Sequence, residues 1–188
     1  NIGVGMKWDP KQMDANLKAH IKLTQEISAA QLILWPESAI EEWLPENLSA
    51  LPAQFVESLR LKNAYFIFGT RTYSGRPQGL PPKAFNTAFL TDPRGVVLEH
   101  YHKQVLLAFG EYIPFSGLLG LLPGMPFIEG FTAGDSPRTL DLPGGERIAP
   151  LICYEDLMPE LSRNFVREKK ANLLVNLTND AWYGKTVA

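Results

Sequence analysis

Three side chains in this sequence could carry out covalent chemistry together: the carboxylate of Glu37, the ammonium of Lys103 and the thiol of Cys153, the chain's one cysteine. Each stands at or just past the end of an apolar run that reads as a strand: Gln31-Leu32-Ile33-Leu34-Trp35, Val96 to Tyr101, and Ile148-Ala149-Pro150-Leu151-Ile152. Strands running side by side would bring all three to one edge of a sheet, where open α/β folds place their sites. A thiol of reference pKa near 8.5 is only about 3% ionised at pH 7, so a nucleophilic cysteine needs a base or a cation beside it. Glu37 can take the proton, and Lys103 can stabilise both the thiolate and the oxyanion formed at an attacked carbonyl. No histidine is needed as base. Taken singly, each residue also has an ordinary reading. Cys153 can be a buried small hydrophobe, Glu37 a loop carboxylate after Pro36, and Lys103 a solvated strand end.

The elements that must position these groups follow from periodicity and punctuation. Asp9-Pro10 is a cap followed by a first helical turn, and Met13, Leu17, His20, Thr24 and Ile27 recur at helical spacing, which predicts a helix over 10–30. His20 on that face reads as a packed or half-exposed residue rather than a catalyst. A second helix is expected from Pro52 to Lys62 and a strand from Ala64 to Thr70. The stretch 71–83 has the Gly and Pro content of a loop. Ala84 to Leu90 and Val96 to Tyr101 read as a hairpin through Thr91-Asp92-Pro93-Arg94-Gly95. Thr139–Leu142 and Arg147–Cys153 flank the turn Pro143-Gly144-Gly145. Pro159 opens a helix to Lys170, and Asn172 to Leu177 closes a βαβ-like passage. Cys153 then lies on a strand-to-helix turn, where a helix N-terminus favours the thiolate. Helices alternating with strands and hairpins give an α/β or α+β layered architecture, between which periodicity does not choose.

Composition narrows the function. The chain has 188 residues and a formal net charge of -2, so no basic field points to nucleic acid. A single cysteine excludes an intrachain disulfide framework. No run approaches the roughly 18 apolar residues of a membrane span. The glycosylation-like triplet Asn176-Leu177-Thr178 falls on an expected strand and reads as a chance match. Neither a metal-ligand cluster nor a phosphate-cradling glycine loop stands out, so no cofactor and no metal are expected.

Longer motifs surround the three residues. Trp35-Pro36-Glu37-Ser38, Tyr101-His102-Lys103 and Ile152-Cys153-Tyr154-Glu155 resemble, in order and spacing, the Glu-Lys-Cys triad of the nitrilase superfamily. More narrowly, the chain is similar to the extramembrane domain of the bacterial apolipoprotein N-acyltransferase family. The closer match lies in Trp35-Pro36-Glu37-Ser38-Ala39, the run from His102 to Pro114, and Leu177-Thr178-Asn179-Asp180-Ala181-Trp182-Tyr183-Gly184. The resemblance implies a nitrilase-like αββα sandwich over 1–188, with a catalytic cleft at its edge and Glu37, Lys103 and Cys153 as catalytic residues. It implies transfer of a fatty acyl group from a phospholipid, typically phosphatidylethanolamine, through a Cys153 thioester to the α-amine of the lipidated cysteine of a diacylglyceryl apolipoprotein. It also implies a bacterial inner-membrane location with this domain on the periplasmic side.

Glu111 and Glu155 match acidic positions near the triad, and either is expected to orient Lys103 or to act on Glu37 through like charge. Tyr154, Tyr112 and Trp182 are candidates for the cleft wall. The family carries membrane helices on both sides of this domain, and its sandwich continues past the Asn-Asp-Ala-Trp motif. The chain is therefore expected to be a fragment, incomplete at both ends. The apolar cluster Leu118-Leu119-Gly120-Leu121-Leu122 suggests that 115–128 is a mobile arm that dips toward lipid and gates the cleft, with Leu119 and Leu122 as candidates for its lid surface. Two rival readings use the same residues: a soluble amidase or nitrile hydrolase with water as acceptor, and a catalytically silent domain that binds a lipid or partner and keeps Cys153 as a structural residue.

Overall fold

The run that begins Tyr65-Phe66-Ile67-Phe68 is apolar on both faces, as a strand covered on both sides must be. In the computed structural model, which describes residues 10–51, 56–57, 62–75, 82–114 and 130–179, it forms β3 (Tyr65–Tyr73), the strand on which the larger sheet is built. One edge of β3 is shared by two parallel partners in succession. β1 (Leu32–Leu34) pairs with residues 65–67, and β2 (Ile40–Pro45) pairs with residues 70–73. The chain between them leaves the ladder beside Gly69, and Glu37 lies in that break. The other edge of β3 pairs antiparallel with β4 (Ala84–Thr91), which pairs with β5 (Val97–His102). The hairpin turn forms as its residues require: the Asp92 carboxylate accepts the backbone N–H of Arg94 and of Val96, each at 2.9 Å, and Gly95 takes φ +80°.

A second sheet comprises β6 (Leu140–Asp141), β7 (Arg147–Ile152) and β8 (Leu173–Leu177). β7 and β8 run parallel and are joined through α2 (Pro159–Arg167), with Pro159 in its first turn. Strand alternation puts Ile67, Ala88, Leu90 and Tyr101 on one face of the larger sheet, and they share one core with Leu140, Ala149 and Leu151 of the smaller. Phe165 of α2 completes that core. On the other face of the larger sheet, Phe66, Phe68, Phe89 and Trp35 are covered by Leu17 and Ile21 of α1 (Pro10–Glu26). Each fully buried side chain of this size contributes about 1.5–3 kcal/mol. The layers are helix, sheet, sheet, helix: the αββα sandwich that the motifs imply.

The structure departs from the expected elements in four places. α1 stops at Glu26 rather than residue 30, where the Lys62 ammonium takes the Gln25 carbonyl at 2.8 Å and the Ile27 carbonyl in place of another helical turn. β3 runs on to Tyr73, into the stretch expected to be loop. β2 was not expected at all: its central Glu41-Glu42 hides an edge strand whose register also shifts between Ile40 and Trp43. α2 ends at Arg167, because Lys170 turns left-handed at φ +59° and the Ala171 N–H closes on the Phe165 carbonyl. Of the helix expected over 52–62, only residues 56, 57 and 62 are described, the first two as helix.

Candidate active site

Glu37 is placed by a proline and a glycine. Pro36 has no N–H to continue the β1 ladder, so the chain peels away after Trp35, whose N–H still reaches the Ile67 carbonyl at 2.9 Å. The loop then lies flat on Gly69. A Cβ at that glycine would stand 2.7 Å from Glu37 Cα and 2.9 Å from the Pro36 carbonyl oxygen. The adjacent Ser38 is left-handed at φ +49°. The result is a carboxylate only 8% exposed, with Oε1 accepting a hydrogen bond from Asn86 Nδ2 at 2.8 Å.

Asn86 joins this carboxylate to a second one. Its Nδ2 also donates to Glu111 Oε1 at 3.0 Å, and Glu111 Oε2 holds the Lys103 ammonium at 2.8 Å. Lys103 follows the last residue of β5, its N–H bonded to the Asn86 carbonyl, and its side chain is 1% exposed. A buried ammonium demands a matched charge, and Glu111 supplies it. Glu111 is itself fixed by the Leu107 N–H at 2.8 Å.

Cys153 opens a 3-10 turn (Cys153–Leu157) at the end of β7, with φ +53°. That conformation is unfavourable for a residue with a Cβ and is kept where the surrounding structure imposes it. The half-buried thiol feels Glu37, Lys103 and Glu111 electrostatically. Burial pushes its pKa up first, the Glu37 carboxylate pushes it further, and Lys103 and the Tyr154 N–H oppose them. The net direction is upward, which corrects the expectation that the turn favours a thiolate at rest. Five residues of 3-10 helix offer only a weak dipole to set against desolvation.

Glu155 and Glu111 divide the work expected of either. Glu155 is fully buried and touches backbone rather than Lys103. Its Oε1 accepts the N–H groups of Gln104 (2.6 Å) and Val105 (3.0 Å) and the Tyr101 hydroxyl (2.9 Å), while Oε2 accepts the Ile152 N–H at 2.8 Å. It ties the residues just after Lys103 to the residue just before Cys153. Burial raises the Glu155 pKa, although the backbone donors oppose it, and burial beside that carboxylate pushes the Tyr101 phenol strongly up. Tyr154 and Tyr112 are both exposed, at 37% and 39%. Leu119, Leu122 and Trp182 lie outside the described residues, as does the segment 115–128. His20 is packed as expected, its ring 5.1 Å from that of Trp35.

Sequence reasoning missed Asn86 and Gly69. Asn86 had a signal: it interrupts the otherwise apolar and threonine-lined Ala84–Thr91 on the inward alternation, where a polar side chain must be satisfied. Gly69 inside a strand likewise marks a close backbone approach.

The arrangement is a half-buried thiol acted on by a carboxylate and an ammonium, the ingredients of acyl transfer through a covalent intermediate. A family model for carbon-nitrogen hydrolases matches residues 2–188. The chain belongs to the carbon-nitrogen hydrolase family. Within this carbon-nitrogen hydrolase domain the similarity is specific. It is 34% identical over 195 residues to an apolipoprotein N-acyltransferase from Allorhizobium ampelinum, covering 99% of this chain and 36% of that protein. It is 30% identical over 182 residues to the one from Rickettsia prowazekii, covering 96% of this chain and 35% of that protein. The chain thus spans about a third of the length of these relatives. Among solved structures it resembles a mutant amidase from Nesterenkonia sp. AN1 that shows covalent addition of the acetamide moiety of fluoroacetamide at its active site cysteine (TM-score 0.58, 23% identity, 88% of this chain and 59% of that one). It also resembles the glutamine-dependent NAD+ synthetase from Acinetobacter baumannii (TM-score 0.57, 17% identity, 89% and 30%). At these identities the structural likeness establishes the fold.

Proposed function

We propose that this domain is the catalytic part of an apolipoprotein N-acyltransferase. The reading is carried by the similarity to apolipoprotein N-acyltransferases along nearly the whole chain, and the placement of Glu37, Lys103 and Cys153 supports it. In the first half-reaction Glu37 takes the Cys153 proton, and sulfur attacks an ester carbonyl of a phospholipid. Lys103 balances the oxyanion. The C–O bond then breaks, the lysophospholipid oxygen leaves with the proton from Glu37, and a thioester remains. In the second, the free α-amine of a diacylglyceryl apolipoprotein attacks the thioester, Glu37 takes the amine proton, and the C–S bond breaks to give the amide and a thiolate, to which Glu37 returns the proton. Glu111 holds Lys103 in place, and Glu155 fixes the two backbone segments that carry Lys103 and Cys153.

Phosphatidylethanolamine as donor, an inner-membrane location and a periplasmic catalytic side belong to the same proposal. No helix among the described residues is long and apolar enough to cross a membrane, so attachment is assigned to other parts of the protein and to the 115–128 segment. The test is a mass measurement on the full-length protein. Incubation with phospholipid and no acceptor should add one acyl group to Cys153, and addition of a diacylglyceryl lipopeptide should discharge it. Cys153→Ala should abolish both. Turnover of small amides without acylation by phospholipid would replace this reading with the amidase.

A further inference from the structure

On β5, Tyr101 points into the core between the sheets, so the flanking His100 and His102 emerge together on the opposite face of the larger sheet. They meet Glu46, which follows β2. One ring nitrogen of each histidine and one Glu46 oxygen lie within 4.8 Å of one another. His102 Nε2 is 3.3 Å from Glu46 Oε1, and the two imidazole centroids are 4.8 Å apart. The three residues line a cavity of about 230 Å³ together with Gln104, Asp135, Ser136 and Arg138. None of the three groups takes part in the chemistry proposed for Cys153.

The His102 ring is oriented from behind. His102 Nδ1 is 2.9 Å from Thr87 Oγ1, which is 2.7 Å from Thr72 Oγ1, and the imidazole lies flat on Phe85 at 4.1 Å. The Glu46 N–H is held by the Tyr73 carbonyl at 2.9 Å. A hydrogen bond on one ring nitrogen that aims the other into a cavity is the arrangement found behind ligating histidines.

We propose that Glu46, His100 and His102 form a binding site for a divalent transition-metal ion of zinc-like chemistry, with water from the cavity as fourth ligand. Two imidazoles and one carboxylate are a donor set suited to such an ion, whereas calcium and magnesium call for oxygen ligands throughout. Metal–ligand bonds of about 2.0–2.2 Å place tetrahedral donors about 3.4 Å apart, so no pair of the present donors, all within 4.8 Å of one another, needs to close by more than about 1.4 Å on binding. The occupied site clamps the end of β2 to β5 one residue before Lys103.

The test uses the full-length protein freed of metal by chelation, with Zn2+ as the probe in calorimetry and Co2+ in visible absorption. One equivalent of Zn2+ is expected to bind, and Co2+ should give the absorption of a tetrahedral nitrogen and oxygen site. His100→Gln and Glu46→Gln should each weaken binding by at least about tenfold, while Cys153→Ala leaves it unchanged. Absence of binding tighter than about millimolar, binding indifferent to both substitutions, or binding lost in Cys153→Ala would overturn the site. A readout on unaltered protein guards against misfolded variants: Zn2+ should protect His100 from diethyl pyrocarbonate, mapped by peptide mass, and an unprotected His100 also refutes the proposal.

Discussion

Gly69→Ala tests whether the proposed base is held by backbone packing. The added Cβ would stand 2.7 Å from Glu37 Cα, 2.9 Å from the Pro36 oxygen and 3.0 Å from Ser38 N, where carbon pairs are ordinarily about 3.5–4.0 Å apart. Relief therefore takes a shift of about 0.8 Å. β3 cannot supply it, being paired on both edges and buried on both faces, so the loop carrying Glu37 must lift. A lift of that size stretches the 2.8 Å bond from Asn86 Nδ2 to Glu37 Oε1 beyond hydrogen-bond range. Misplacing a reacting group by about 1 Å can cost about 10²-fold in rate, and overpacking costs about 1–3 kcal/mol in stability. Single-turnover acylation of Cys153 by phospholipid, followed by mass, should slow by about two orders of magnitude while circular dichroism stays native. Gly75→Ala is the control, since a Cβ there meets nothing within 4 Å. A folded Gly69→Ala protein that acylates within about threefold of the unaltered rate would refute the argument.

Other outcomes follow from the same geometry. Lys103→Met removes the buried cation opposite Glu111 and should lower the acylation rate constant by at least about 10²–10³; near-normal turnover would remove Lys103 from the mechanism. The alkylation rate of Cys153 by iodoacetamide, followed against pH, should have its midpoint above that of free cysteine, moving higher in Lys103→Met and lower in Glu37→Gln; a midpoint at or below free cysteine contradicts the charge reading. Glu155→Ala strands three N–H groups and the Tyr101 hydroxyl and should destabilise the protein by about 3 kcal/mol or more. The folded pKa of Glu155 is raised, so its contribution to stability is fully present below the ordinary carboxylate range and is lost as pH rises through the folded value. Denaturation midpoints between pH 7 and pH 4 should therefore show the unaltered protein gaining on Glu155→Gln as pH falls, and parallel profiles would count against this.

What the sequence made legible was what local chemistry dictates. Apolar runs ending at Trp35, Tyr101 and Ile152 showed where Glu37, Lys103 and Cys153 would emerge; Asp92 and Gly95 announced the hairpin, and Pro159 the start of α2. What stayed hidden depends on partners distant in the chain. β2 carries Glu41, a buried residue that takes a hydrogen bond from Asn16 at 3.0 Å, so its pattern looks like loop until α1 is in place. The separation of Glu111 from Glu155 likewise required the fold. Both are carboxylates eight or fewer residues after Lys103 or Cys153, yet one faces an ammonium and the other chiefly backbone donors. The thiol's upward shift was invisible for the same reason, since burial is a tertiary quantity.

That shift has a consequence for how the proposed reaction begins. The thiol sits among the negative charge of Glu37 and Glu111 and the positive charge of Lys103. Losing its proton to water would add a negative charge to a desolvated site, which is what burial penalises. Handing the proton to Glu37 instead makes a thiolate while neutralising a carboxylate, so the charge enclosed by the site does not change. Glu111 is unsuited to the same task, because a proton there would leave the Lys103 ammonium unmatched in a place where it is 1% exposed. Asn86 gives a neutral amide donor to both carboxylates, and the charge that distinguishes them is the Lys103 ammonium at Glu111. The assignment of Glu37 as base and Glu111 as positioning residue therefore rests on which carboxylate already holds a cation, a difference that their residue type alone does not reveal.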